Sequence, residues 1–141
     1  MITIDDALQL ALNAHRGQKD LDGNPVILHP LTVGLAGRNR EEMIAGFLHD
    51  VVEDTTLTLD DLRAMGVDES IVEVLKLLTH DKGAMSYDEY VGRIAASGNE
   101  TAIRVKYNDL THNLMRGRKG NHQRQVAKHE AAMKVIGPLA E

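Results

Sequence analysis

The chain has no cysteine and no tryptophan, only three prolines, and four aromatic residues in 141: Phe47, Tyr87, Tyr90 and Tyr107. Without cysteine, disulfides, zinc–thiolate sites and cysteine nucleophiles are excluded, and the chain suits a reducing cytoplasm. A net charge of -5 and so few aromatics leave neither the basic surface nor the stacking platforms of a general nucleic-acid binder. No apolar run approaches membrane-spanning length, and the opening Met1-Ile2-Thr3-Ile4-Asp5-Asp6 is too acidic for a secretory signal. The expectation is a cytoplasmic protein with one domain over 1–141, no nucleic-acid or membrane partner, and an oligomeric state left open. The length suffices for a self-supporting core. One stretch runs against the overall charge: Arg116-Gly117-Arg118-Lys119 is basic, a rim compatible with a small polyanionic ligand.

Helical periodicity dominates, and no segment alternates as a strand does. Thr3 with Asp6, Thr58 with Asp61 and Ser86 with Glu89 read as helix caps. Gly17 opens a loop through the turn cluster Asp22-Gly23-Asn24-Pro25, and Pro30 stands where a helix begins. These signals predict an all-α bundle of about eight short helices. Among them, one helix over Glu41 to Glu53 carries His49 and Asp50, and a last helix from His122 is stopped at Gly137-Pro138.

The chemistry concentrates in Leu48-His49-Asp50-Val51-Val52-Glu53-Asp54-Thr55. A His-Asp pair after the apolar run Met43 to Leu48 is costly to bury unless a cation or a hydrogen-bond network compensates it. Glu53 and Asp54 return to the faces of His49 and Asp50, four residues on. Three acids at a helix C-terminus repel one another and oppose its dipole, which a divalent cation would relieve. A second helix carries Lys106, Asp109 and Asn113; taken alone, Lys106 and Asp109 are an ordinary helix-surface pair. Taken with His49 and Asp50, Asp109 is a fourth ligand, Asn113 a polar contact for substrate, and His29 the remaining imidazole. Two histidines and two aspartates suit Mn²⁺ or Fe²⁺, or another divalent cation with open positions, better than structural zinc. Glu53 and Asp54 would then orient or deprotonate water in the hydrolysis of a phosphate ester or anhydride.

Four blocks carry a resemblance: Ala14-His15-Arg16-Gly17-Gln18, Gly23-Asn24-Pro25-Val26-Ile27-Leu28-His29-Pro30, Leu48 to Thr55, and Val105-Lys106 with Asp109 and Asn113-Leu114. In these the chain resembles the HD-domain metal-dependent phosphohydrolases, in particular the RelA/SpoT-type (p)ppGpp hydrolase domain and small stand-alone alarmone hydrolases. The resemblance implies a helical HD fold and Mn²⁺ held by His29, His49, Asp50 and Asp109. It also implies Glu53 and Asp54 as the catalytic acidic pair, and substrate contact at Asn113. The implied reaction removes the 3'-pyrophosphate of ppGpp or pppGpp, a small phosphorylated nucleotide. The chain departs from the pattern after Gln18, where Asp20-Leu21 replace an arginine–lysine pair whose arginine packs on guanine, and Val26 replaces an aromatic residue. Lys19 is the remaining cation there for substrate, and Lys106, on the helix of Asn113, is a second substrate-binding candidate. Two alternatives follow: the same chemistry on another phosphorylated nucleotide such as NADPH, or a non-catalytic nucleotide-binding regulatory module.

Overall fold

The computed structural model describes residues 1–141 as nine helices: α1 (Ile4–Ala14), α2 (Leu28–Leu35), α3 (Arg40–Leu48), α4 (Val51–Asp54), α5 (Leu59–Ala64), α6 (Glu69–Leu78), α7 (Tyr87–Ala96), α8 (Glu100–Lys119) and α9 (Gln123–Ala140). The only β pairing is an isolated bridge between Lys19 and Pro25. The expected caps form: Thr3 accepts from the Asp6 amide, and Thr58/Asp61 and Ser86/Glu89 close reciprocal capping boxes. Each satisfies amides that the first helical turn leaves without partners.

Two expectations change. The helix predicted over Glu41 to Glu53 is two helices, with His49 and Asp50 at the break between α3 and α4. The His49 ring takes the carbonyl of Gly46 at 2.6 Å, competing with the backbone for the group that would continue the helix. The last helix does not stop at Gly137-Pro138 but runs on to Ala140 with Pro138 inside it. A proline in the final turn forgoes a single backbone bond, and the end is held from outside, because Arg104 donates to the Ala140 carbonyl at 3.1 Å.

Helix α3 is the buried centre. Ile44, Ala45, Gly46, Phe47 and Leu48 are all inaccessible, so it packs on every side, against α1, α2, α6 and α8. Its approach to α2 depends on two glycines. A Cβ on Gly46 would lie 2.7 Å from the Gly34 Cα, and one on Gly34 would lie 2.2 Å from the Phe47 ring. This close crossing draws the start of α2, and with it His29, toward the end of α3. Helix α8 lies across both and buries Ala102, Val105, Lys106, Asp109, Leu110, Leu114 and Gly117 along one stripe. Three helices thus meet where the polar residues lie.

Candidate metal centre and cleft

His29 sits in the first turn of α2, His49 and Asp50 at the α3–α4 break, and Asp109 at the middle of α8. His29 Nε2 lies 2.7 Å and His49 Nε2 3.3 Å from Asp109 Oδ1, while Asp50 Oδ2 lies 3.2 Å from His49 Nε2 and 3.8 Å from His29 Nε2. His29, His49 and Asp50 each offer a ligand atom within 4.8 Å of the others, and Asp109 adjoins them through both imidazoles. Three of the four are buried; Asp50 keeps a quarter of its side chain exposed toward the cleft. Such a convergence of imidazole nitrogen and carboxylate oxygen can hold a divalent cation.

The surroundings orient these atoms. A carbonyl only accepts, so the 2.6 Å contact with Gly46 fixes the proton of His49 on Nδ1 and aims Nε2 into the cluster. His29 Nδ1 faces His112 Nδ1 at 2.7 Å with the rings 11° from parallel, so one nitrogen donates and the other accepts. Burial, and then the charges of His29 and Arg116, push His112 down to about 4, which keeps it neutral at physiological pH. The other oxygen of Asp109 takes Lys106 Nζ at 2.9 Å, and Asn113 Nδ2 donates to Oδ1 at 3.1 Å. Burial alone would raise the Asp109 carboxyl, but Lys106 and the two histidines hold it well below the usual range. Lys106 also donates to the Tyr90 hydroxyl at 3.4 Å, and that hydroxyl donates to the Leu78 carbonyl.

The two acids after the pair diverge. Glu53 Oε1 accepts the His80 amide at 2.8 Å, tying α4 to the end of α6. The Asp54 carboxyl is pushed up to about 6 by burial and then by Asp50 and Glu53. Behind Asp54, Gln18 Nε2 donates to its backbone carbonyl at 3.0 Å while Gln18 Oε1 meets His15 Nδ1 at 2.9 Å. Asp54 also faces a cleft of about 800 Å³ that takes in Gln18, Asn113 and Arg116. An adjoining compartment of about 230 Å³ lies beyond Asp109, lined by Lys82, Lys106, Lys128, Tyr87 and Tyr90.

Comparison with protein-family profiles gives no match. The chain is 33% identical over 146 residues to a GTP pyrophosphokinase of Streptomyces coelicolor, covering 97% of this chain and 17% of that protein. It is 30% identical over 148 residues to the bifunctional (p)ppGpp synthase/hydrolase SpoT of Escherichia coli, covering 95% of this chain and 21% of that protein. Its fold matches a metazoan ortholog of SpoT with a TM-score of 0.72 over 92% of this chain and 84% of that one, at 21% identity. The chain is similar to RelA/SpoT-type proteins in sequence and to a SpoT ortholog in fold. The domain spans about a fifth of the length of the curated relatives it matches.

Of the residues singled out in the sequence, the fold brings His29, His49, Asp50, Asp109, Asn113 and Lys106 into one bonded cluster, with Asp54 at its edge. Glu53 borders the inner compartment through its tie to α6. Lys19 lies at the wall of the larger cleft without a side-chain partner, beside the bridge to Pro25. Sequence reasoning gave no site role to Lys82, Lys128 or His129. Only the basic character of the C-terminal quarter signalled the last two, because α9 packs back over α8 to deliver them.

Proposed function

We propose that this domain is a divalent-metal-dependent phosphohydrolase that removes the 3'-pyrophosphate of (p)ppGpp, with His29, His49, Asp50 and Asp109 holding the metal. The observation that carries this reading is the meeting of the His29 and His49 imidazoles with the Asp50 carboxylate within 4.8 Å, with Asp109 adjoining both rings. The donor set fits the ion: His49 can only present Nε2, and His29 presents its own once the shared proton lies on Nδ1 and neutral His112 accepts it. Mixed nitrogen and oxygen donors favour Mn²⁺ or Fe²⁺. When bound, such a cation polarises a phosphate oxygen and lowers the pKa of water. The relative named SpoT and the metazoan ortholog described as hydrolysing ppGpp support the substrate.

The chain's own residues then divide the work. Asp54, ionised above about 6, takes the proton from water, and Glu53 braces α4 so that Asp54 stays at the cleft. Water adds to the phosphorus as its bond to the 3'-oxygen breaks, and the 3'-oxygen leaves as a hydroxyl with the proton that Asp54 took, yielding GDP or GTP and pyrophosphate. Lys82 and Lys128 at the inner compartment offset the charge of the departing pyrophosphate, and Lys106 fixes Asp109. Asn113 contacts the substrate phosphate, and Lys19 meets substrate at the outer wall.

A second reading keeps the chemistry and changes the nucleotide, for example to NADPH. It is favoured by Asp20 at the outer wall, where a carboxylate supplies none of the cationic surface on which guanine would pack. Purified Mn²⁺-loaded protein offered ppGpp and NADPH separately, with His49→Ala as control, tests both. GDP and pyrophosphate from ppGpp, absent in the control, are expected. Orthophosphate from NADPH alone would move the substrate, and no product from either would overturn the hydrolase reading.

A further inference from the structure

The cleft that leads to the metal centre has no phenylalanine, tyrosine or tryptophan in its wall, and its rings are the imidazoles of His29, His122 and His129. It does contain a guanidinium held rigidly in place. Arg116 Nε and Nη2 both donate to Asn113 Oδ1, at 3.0 and 2.7 Å, and Nη1 lies 3.7 Å from Asp20 Oδ2. Asp20 is itself immobilised, because its Oδ1 accepts the amides of Asp22 and Asn24 at 2.9 Å each. The same loop is tied to the α8–α9 turn by Asp22 and His122 at 2.8 Å, a contact so close that a Cβ on Gly120 would collide with both.

The edge of Arg116 is therefore turned to protein on two sides, Nε and Nη2 to the Asn113 amide and Nη1 toward the Asp20 carboxylate. The Asp20–Arg116 pair borders the 800 Å³ cleft and also a separate cavity of about 350 Å³ lined by Leu28, His112 and Met115. A third of the Arg116 side chain remains exposed. A guanidinium that already donates from Nε and Nη2 to an amide and has a carboxylate 3.7 Å from Nη1 is a poorer phosphate clamp, since the carboxylate repels the incoming anion. A planar cation in a cleft wall, a third of it exposed, is a stacking surface for a base. Its placement suits that task. Arg116 lies two turns from Asp109 on the same face of α8, roughly 10 Å along the axis, and Asn113 bridges them.

We propose that Arg116 is the base-stacking and specificity-determining residue of this domain, held edge-on by Asn113 and Asp20, and that the ligand it selects is the purine ring of the nucleotide. The proposal rests on the phosphohydrolase reading for the reaction, but it is read out by binding. The aspartate in the loop does not empty the base site; it aims a cation supplied by α8.

The test compares wild-type protein, Arg116→Ala, Arg116→Lys and Asp20→Asn, each Mn²⁺-loaded, in calorimetric titrations with GDP and with inorganic pyrophosphate. Stacking predicts that GDP binding weakens about tenfold, equivalent to ~1.4 kcal/mol. The loss should be the same in Arg116→Ala and Arg116→Lys, because lysine keeps the charge and loses the plane. Asp20→Asn moves in the same direction by a smaller factor. Pyrophosphate affinity and Mn²⁺ affinity stay at wild-type values, and in turnover of ppGpp the KM rises with kcat held. GDP binding at wild-type strength in Arg116→Lys would overturn the proposal in favour of a phosphate contact, and so would an unaffected Arg116→Ala. If Arg116→Ala fails to fold, Arg116→Lys and Asp20→Asn decide. Wild-type protein that binds GDP but hydrolyses nothing would overturn the hydrolase reading alone.

Discussion

Lys106 Nζ lies 2.9 Å from Asp109 Oδ2, one turn apart on α8, with both residues almost wholly withdrawn from solvent. The pair holds a buried carboxylate ionised beside the His29 and His49 imidazoles. Removing the lysine leaves Asp109 buried without its counter-charge. Lys106→Met is expected to cost about 3 kcal/mol or more in urea unfolding of the metal-free protein. Added Mn²⁺ should recover part of that loss if Asp109 faces the ion. An equal loss with and without Mn²⁺ would separate Asp109 from the metal.

For His29 to turn a bare Nε2 to a metal its proton must lie on Nδ1, and His112 Nδ1 at 2.7 Å is the acceptor for it. His112→Ala is expected to keep the fold and weaken Mn²⁺ binding by about tenfold to a hundredfold, the usual range for such supporting partners. Circular dichroism checks the first and metal titration the second. Wild-type metal affinity would show that His29 is oriented without it.

Metal binding should also release a proton. Burial pushes the His49 imidazole down, but the neighbouring Asp50 and Asp109 outweigh it, so His49 stays protonated above its ordinary value in the metal-free protein. His29 is held below its ordinary value, chiefly by burial, and contributes no such proton. Mn²⁺ affinity is therefore expected to fall on acidification and to keep rising with pH above about 6.5. A flat profile between neutral pH and mild acid would exclude His49 as a ligand.

Asp54 links stability to pH in the opposite sense from most carboxylates. Its folded pKa of about 6 is raised, so the folded protein holds that proton more tightly and loses stability as pH climbs through the window from about 4 to 6. Asp54→Asn should raise the Tm of metal-free protein at pH 7.5 by about 3 °C. It should leave Tm unchanged below pH 4, where the native carboxyl is already neutral. No gain at pH 7.5 would show that Asp54 is freely solvated.

Glu53→Gln and Asp54→Asn together are expected to abolish turnover while the protein stays folded and still binds Mn²⁺. Retained turnover would remove both acids from the chemistry. A variant without turnover but with wild-type nucleotide binding is the outcome for an enzyme, whereas a binding module would lose nothing measurable.

Much of this protein is written in short stretches of chain. The caps at Thr3, Thr58 and Ser86 and the turn before Pro30 depend on residues three or four apart, so the helices they open were legible without a structure. The polar groups later found together could also be picked out, because a His-Asp pair after an apolar run is costly wherever it lies. The tertiary structure decided what touches what. His29 and Asp109 are 80 residues apart, and Asp22 and His122 are 100 apart, and no periodicity encodes such distances. The break at His49 follows from a ring bonding back to Gly46, and the passage of α9 through Pro138 from an arginine on α8. Asp20 is the sharpest case: as a sequence it reads as a lost cation, and only the packing of its loop against α8 shows Arg116 held at the same wall. Local hydrogen bonding determines where helices begin, while the partner of a charge is chosen by how those helices pack.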